Sequence, residues 1–248
     1  MQSNKIYDKY ISGYCEDVWE EISFRDYETF SQSEKDDVQL VIKEALQRID
    51  YNFKIVYGAL KRNGFLYKNF GNLNRFNQPY ILWQDAEYDV RLEKFYIDNK
   101  FQNYTPLFFA SFCSFFKVVD FRGEFNFDVP VLLDPLFIVS FNNYAEVNDL
   151  VFEREYKSKI ALCCMFSPDP YVKEDESGDL GICIMLNDKV FIDSNVINYN
   201  DDLDFTFIEY LRFCFEWSCF PNLYWATEDE RQPFLPLLQE VRKNLRVF

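Results

Sequence analysis

Between Val38 and Leu60 the apolar residues recur three and four positions apart: Val38, Val41, Ile42, Ala45, Ile49, Phe53, Val56 and Leu60. A helix with one buried face is the arrangement that brings that spacing into a single stripe. Ser31 with Glu34 three positions on is a capping box that would start the helix, and Asn63-Gly64 is a left-handed stop. Asp85 to Asn99 repeats the period more weakly through Tyr88, Leu92, Phe95 and Tyr96, which predicts a second amphipathic helix. Thr105-Pro106 supplies an N-cap and a first-turn proline for a helix over Leu107 to Phe116 that is apolar nearly all round. Before Ser31 the chain is polar, aromatic and irregular in period, so residues 1–33 read as a loosely packed N-terminal extension.

Past residue 117 the pattern changes. Val118 to Phe121, Leu136 to Val139, Lys159 to Phe166, Gly181 to Leu186 and Lys189 to Ile192 are short runs rich in Val, Ile and Phe, bounded by turn residues, and they predict strands. Asn187-Asp188 suits a hairpin between the last two runs. Tyr144 to Arg154 is expected to be a helix on a connection. Asp204 is the expected cap of an aromatic helix over Phe205 to Trp217, and a last helix is expected near Pro233 to Leu245. Helices first, strands in the middle and helices last predict one α+β domain over residues 1–248, with a central, mostly antiparallel sheet between N-terminal and C-terminal helices. No repeat or clear linker divides it.

Composition narrows function by exclusion. The 248 residues include 26 Lys plus Arg and 41 Asp plus Glu, a net charge of −15, which argues against nucleic acid or an anionic membrane as partner and favours a basic protein. Histidine is absent, which removes imidazole metal sites, Ser-His-Asp and Cys-His catalysis, and imidazole pH switches. The 28 Phe, 17 Tyr and 4 Trp imply a core of packed rings. Seven cysteines, an odd number mostly inside apolar runs, read as reduced core thiols of a cytoplasmic protein. No apolar segment follows Met1, so no signal peptide is expected, and the longest apolar run, 106–116, is too short to cross a membrane. The glycines have neither dinucleotide-fingerprint nor phosphate-loop spacing. No cofactor and no metal are expected.

Charge is unevenly placed. Glu16 to Asp37 holds nine acidic and two basic residues, and Asp169 to Asp202 the same numbers, so each block carries −7. Two such blocks can form a surface that attracts a basic partner. The candidate contacts are Asp175, Glu176 and Asp179 in one block, and Asp36 and Asp37 in the other. Two other functions remain open at this point. Carboxylates of the 169–179 loop could hold a divalent cation for a hydrolase, although EF-hand spacing is absent. Alternatively, an exposed stripe on residues 38–60 would make the chain a regulatory scaffold.

Several phrases taken in order resemble a bacterial family of uncharacterised proteins. They are Thr105-Pro106-Leu107 with Phe112, Val119-Asp120-Phe121-Arg122-Gly123, Leu133-Asp134-Pro135-Leu136, Ser167-Pro168-Asp169-Pro170-Tyr171-Val172-Lys173 with Ser177-Gly178, and Phe207-Ile208-Glu209-Tyr210-Leu211-Arg212 with Trp217 and Phe220-Pro221. More remotely the chain resembles the SUKH superfamily, whose α+β members include immunity proteins that neutralise bacterial toxins by direct binding. That resemblance implies a non-catalytic protein-binding module and supplies no catalytic residue. The chain departs from the family pattern at Lys117 (glycine), Val172 (histidine), Ser218-Cys219 (Gly-Gly) and the Gly178 to Gly181 stretch (Gly-Gly with Pro-Tyr).

Overall fold

A computed structural model describes residues 5–23, 25, 29–70, 79–82, 108, 111–112, 115–121, 123–125, 136–139, 153–156, 159–164, 182–184, 189–192, 205–224 and 226–248. The organising element is helix α3, Gln32–Arg62, preceded by α1, Lys5–Ile11, and α2, Cys15–Ser23. At 31 residues α3 runs about 46 Å at 1.5 Å per residue. Its start is the anticipated capping box: the Glu34 amide donates to Ser31 Oγ at 3.4 Å, and the Ser31 amide donates to Glu34 Oε2 at 2.8 Å. Its end is the Asn63 amide on the Ala59 carbonyl, followed by Gly64 at φ +71°. Every residue of the stripe from Val38 to Leu60 is at 0% exposure.

What covers the stripe is other helices together with the rings of Tyr80, Phe116 and Phe121. α1 packs on α3, and so does α6, Leu235–Asn244, which also meets α4, Phe207–Glu216. A short α5, Glu228–Arg231, and the 3-10 turns Pro221–Tyr224 and Gln232–Phe234 join α4 to α6. Residues Ile6, Tyr10, Cys15, Val18, Trp19 and Ile22 of α1 and α2 belong to the same core as α3 and α4. The N-terminal residues described here are therefore packed rather than loose. At the centre, the Phe53 ring lies 4.8 Å from Phe215, 5.2 Å from Tyr80, and 5.4 Å from both Phe116 and Phe121.

The expected central antiparallel sheet is corrected by this arrangement. Of the residues whose side-chain surroundings are described, 75% are helical and 5% lie in strands, and no sheet forms a layer between helices there. Strand pairings exist as separate backbone ladders. β1, Leu66–Phe70, pairs β4, Gly123–Phe125; β3, Phe116–Asp120, lies between β2, Tyr80–Leu82, and β5, Phe137–Val139. The third ladder runs in the order β10 (Phe205–Thr206), β9 (Lys189–Ile192), β8 (Ile182–Ile184), β7 (Lys159–Cys164), β6 (Glu153–Tyr156). The physical reason is that short apolar runs specify extended chain but not a shared layer, and most of the buried residues described here lie on helices.

Three further expectations shift. Residues 108, 111, 112 and 115 are helical and buried, but Phe116 already begins β3. Glu153 and Arg154, expected at the end of a helix, lie in β6, and the rest of 144–154 falls outside the described residues, as does the helix expected over 85–99. Thr206, not Asp204, caps α4: its amide donates to Glu209 Oε2 at 2.6 Å, and the Glu209 amide donates to Thr206 Oγ1 at 3.3 Å. Phe205 and Thr206 are still paired to β9, so the helix cannot start earlier.

α4 ends on two consecutive left-handed residues, Ser218 at φ +55° and Cys219 at φ +64°. The turn lets the Cys219 carbonyl accept the Leu136 amide at 2.7 Å, while the Cys219 amide closes on the Cys214 carbonyl at 2.7 Å. A side chain in this region is strained, and Ser218 Oγ is buried with no hydrogen-bond partner. Ser218→Gly removes both penalties and is expected to stabilise the protein by about 1 kcal/mol. The midpoint of urea unfolding would rise; an unchanged or lower midpoint would contradict this account of the turn.

Candidate protein-binding surface

Helix α2 sorts its residues by period. Cys15, Val18, Trp19 and Ile22 face inward and are buried, which leaves Glu16, Asp17, Glu20 and Glu21 on the outer face, all exposed. Glu16 and Asp17 sit in the first turn, where carboxylates complement the helix dipole, so local structure favours this placement as well. The opposing charge is slight. Lys9 Nζ stands 3.9 Å from Asp17 and 3.7 Å from Glu21, and Arg212 Nη1 stands 3.8 Å from a Glu16 side chain that is 83% exposed. Ion pairs this long and this wet contribute little and leave the face negative.

Two apolar side chains adjoin it. Gly13, at φ +102°, turns the chain between α1 and α2 and leaves Ile11 and Tyr14 on the outside at 49% and 59% exposure. An aromatic knob beside a charged rim is the composition of a protein interface.

Beneath the face, Tyr10 is fully buried, with the Arg48 guanidinium 4.9 Å from its ring centre. Its hydroxyl has no hydrogen-bond partner, and burial holds its pKa well above the usual tyrosine value. Arg48 is held by Glu44 at 2.8 Å and reaches Cys15 Sγ at 3.7 Å. Since the hydroxyl is desolvated for nothing, Tyr10→Phe is expected to raise stability by about 1 kcal/mol. Thermal unfolding checks this, and a destabilised variant would reveal a partner for the hydroxyl.

Of the anticipated contacts, Asp36 and Asp37 are described, and they point apart. Asp36 is exposed and accepts from Gln32 Nε2 at 2.9 Å. Asp37 is 5% exposed and accepts the Ile6 amide at 3.0 Å, so its carboxylate tethers the first turn of α1 to α3 rather than facing a partner. Near them, Arg25 and Ser31 hold the Glu34 carboxyl at about 2, so it stays charged. Asp175, Glu176 and Asp179, with the whole 169–179 loop, lie outside the described residues. The fully buried stripe on α3 excludes the scaffold reading that needed it exposed. The α2 face went unread although its signal, Cys15, Val18, Trp19 and Ile22 at helical spacing, is plain in the sequence.

Other chemistry is sparse among the described residues. Cys15, Cys214 and Cys219 are free and buried, and burial pushes the Cys214 and Cys219 thiols far up, which makes them inert. Among the described residues no group of His, Cys, Asp or Glu is placed to hold a metal ion, and no helix is long and apolar enough to cross a membrane. Comparison with known protein families, with characterised proteins and with solved structures found no match in any of the three.

Proposed function

We propose that this chain is a non-catalytic protein-binding module that meets a basic protein through the outer face of α2. In keeping with the resemblance to immunity proteins, the partner is a basic toxin neutralised in the cytoplasm. One observation carries the reading: Glu16, Asp17, Glu20 and Glu21 project together from one short helix, with Ile11 and Tyr14 exposed at its base. The carboxylates would steer a basic partner, raising the association rate at low salt, while the tyrosine ring would govern the lifetime of the complex. The free, buried thiols suit a reducing compartment.

The test separates those two roles. With the product of the neighbouring gene as partner, converting Glu16, Glu20 and Glu21 to Gln and Asp17 to Asn is expected to slow association about tenfold or more at low salt and to flatten its salt dependence. Tyr14→Ala is expected to speed dissociation about tenfold, with stability changed by less than about 0.5 kcal/mol because the ring is exposed. Association kinetics that ignore all four carboxylates would remove the α2 face from the proposal.

A further inference from the structure

Residues 246–248 follow α6 and are held to α3 and α4 through their main chain in a way that resembles the recognition of a peptide. Asn52 brackets Arg246: its Nδ2 donates to the Arg246 carbonyl at 2.8 Å, and its Oδ1 accepts the Arg246 amide at 2.8 Å. Arg48 Nη1 donates to the Val247 carbonyl at 2.8 Å, and Arg212 donates to the Phe248 main-chain oxygen through Nε at 2.8 Å and through Nη2. Three successive main-chain oxygens are thus held by three side chains. Two of the three tail side chains are read as well. The Arg246 guanidinium sits 3.8 Å from the Tyr51 ring centre, and the buried Phe248 ring meets Phe215 edge-on at 5.7 Å with the Arg212 guanidinium 5.7 Å away. Val247 between them is 65% exposed and so is not selected.

We infer that the groove of Tyr51, Asn52, Arg48, Arg212 and Phe215 is a binding site for an extended Arg-x-Phe segment of another protein, closed in the free chain by its own residues 246–248. Backbone reading makes the site tolerant of sequence, and the stacked arginine and the buried ring set its preference. The cis segment competes at a high effective concentration, so the open groove binds an outside peptide more tightly than the closed one does. The site adjoins the acidic face of α2, because Arg212 Nη1 also stands 3.8 Å from Glu16, but its test below alters no residue of that face.

The test uses the full-length chain carrying R246A and F248A, which empties both side-chain positions. Titrated by fluorescence anisotropy with a labelled Leu-Arg-Val-Phe peptide, this variant is expected to bind saturably and about tenfold or more tighter than the unaltered chain. Replacing the peptide's Arg or Phe by Ala, or adding Asn52→Ala to the protein, is expected to weaken binding about tenfold or more. A variant that keeps its circular dichroism yet binds nothing at millimolar peptide, or that binds the Ala peptides equally well, would overturn the inference. Should the variant not fold, hydrogen exchange of the unaltered chain decides. Exchange at Arg246 about a hundredfold faster than in the middle of α3 supports a tail that opens on its own. Equal exchange, which means release only on global unfolding, overturns it.

Discussion

Phe53→Ala is expected to destabilise the protein by about 4 kcal/mol, the range for deleting a fully buried phenylalanine. Phe53 has 0% exposure and meets the rings of Tyr80, Phe116, Phe121 and Phe215. Those neighbours come from three separate parts of the chain, so no single helix can shift inward to fill the void without disturbing another. Edge and tilted ring contacts add to what burial alone supplies. Denaturant unfolding monitored by circular dichroism measures the loss. A cost below about 1.5 kcal/mol would mean that the ring cluster is not the centre of the core.

The second large effect concerns a polar group inside that core. Asp50 is 3% exposed, accepts the Tyr80 hydroxyl at 2.6 Å through Oδ1, and accepts Lys54 Nζ at 2.6 Å through Oδ2. Asp50→Ala is expected to cost about 2–3 kcal/mol, because it removes the 2.6 Å bond of a buried hydroxyl, which then keeps the Asp50 carbonyl at 3.5 Å, and removes a charge-assisted bond. Lys54, which is mostly exposed, returns to water and adds little. Asp50→Asn, which keeps an acceptor, should cost less. Tyr80→Phe removes the donor of that bond, so the Asp50→Ala and Tyr80→Phe double variant should be more stable than the sum of the single losses implies, by about 1 kcal/mol or more. Strict additivity would contradict the hydrogen bond as the coupling.

How far these features can be read in advance depends on their range in the chain. α3 was legible from end to end because its signals are local: a stripe with one period, and a Ser-x-x-Glu box whose two bonds both form. The start of α4 was equally local, since Thr206 has Glu209 three positions on and Asp204 has Phe207 there, yet the acidic side chain drew the cap two residues too early. The strands show the opposite case. Val- and Phe-rich runs indicate extended backbone, but which runs pair, and whether they join into one layer, depends on contacts far apart in sequence.

Burial decides the rest. Asp36 and Asp37 are chemically alike and adjacent, and only the meeting of α1 with α3 turns the second inward. The tail groove left no trace in the sequence, because Asn52, Arg48 and Arg212 bind backbone atoms that every residue carries. The left-handed backbone at Ser218 and Cys219 has no local signal, because neither side chain favours that region and the turn is set by how α4 ends against Leu136.

The central claim, a binding module for a basic protein, is tested most directly by affinity capture from native cell extract at low and at high salt. The unaltered chain and the chain neutralised at Glu16, Asp17, Glu20 and Glu21 are compared side by side. One basic protein is expected to be retained by the unaltered chain at low salt, lost at high salt, and absent from the neutralised chain at either. A captured partner that is indifferent to both salt and neutralisation, or no captured partner at all, would contradict it.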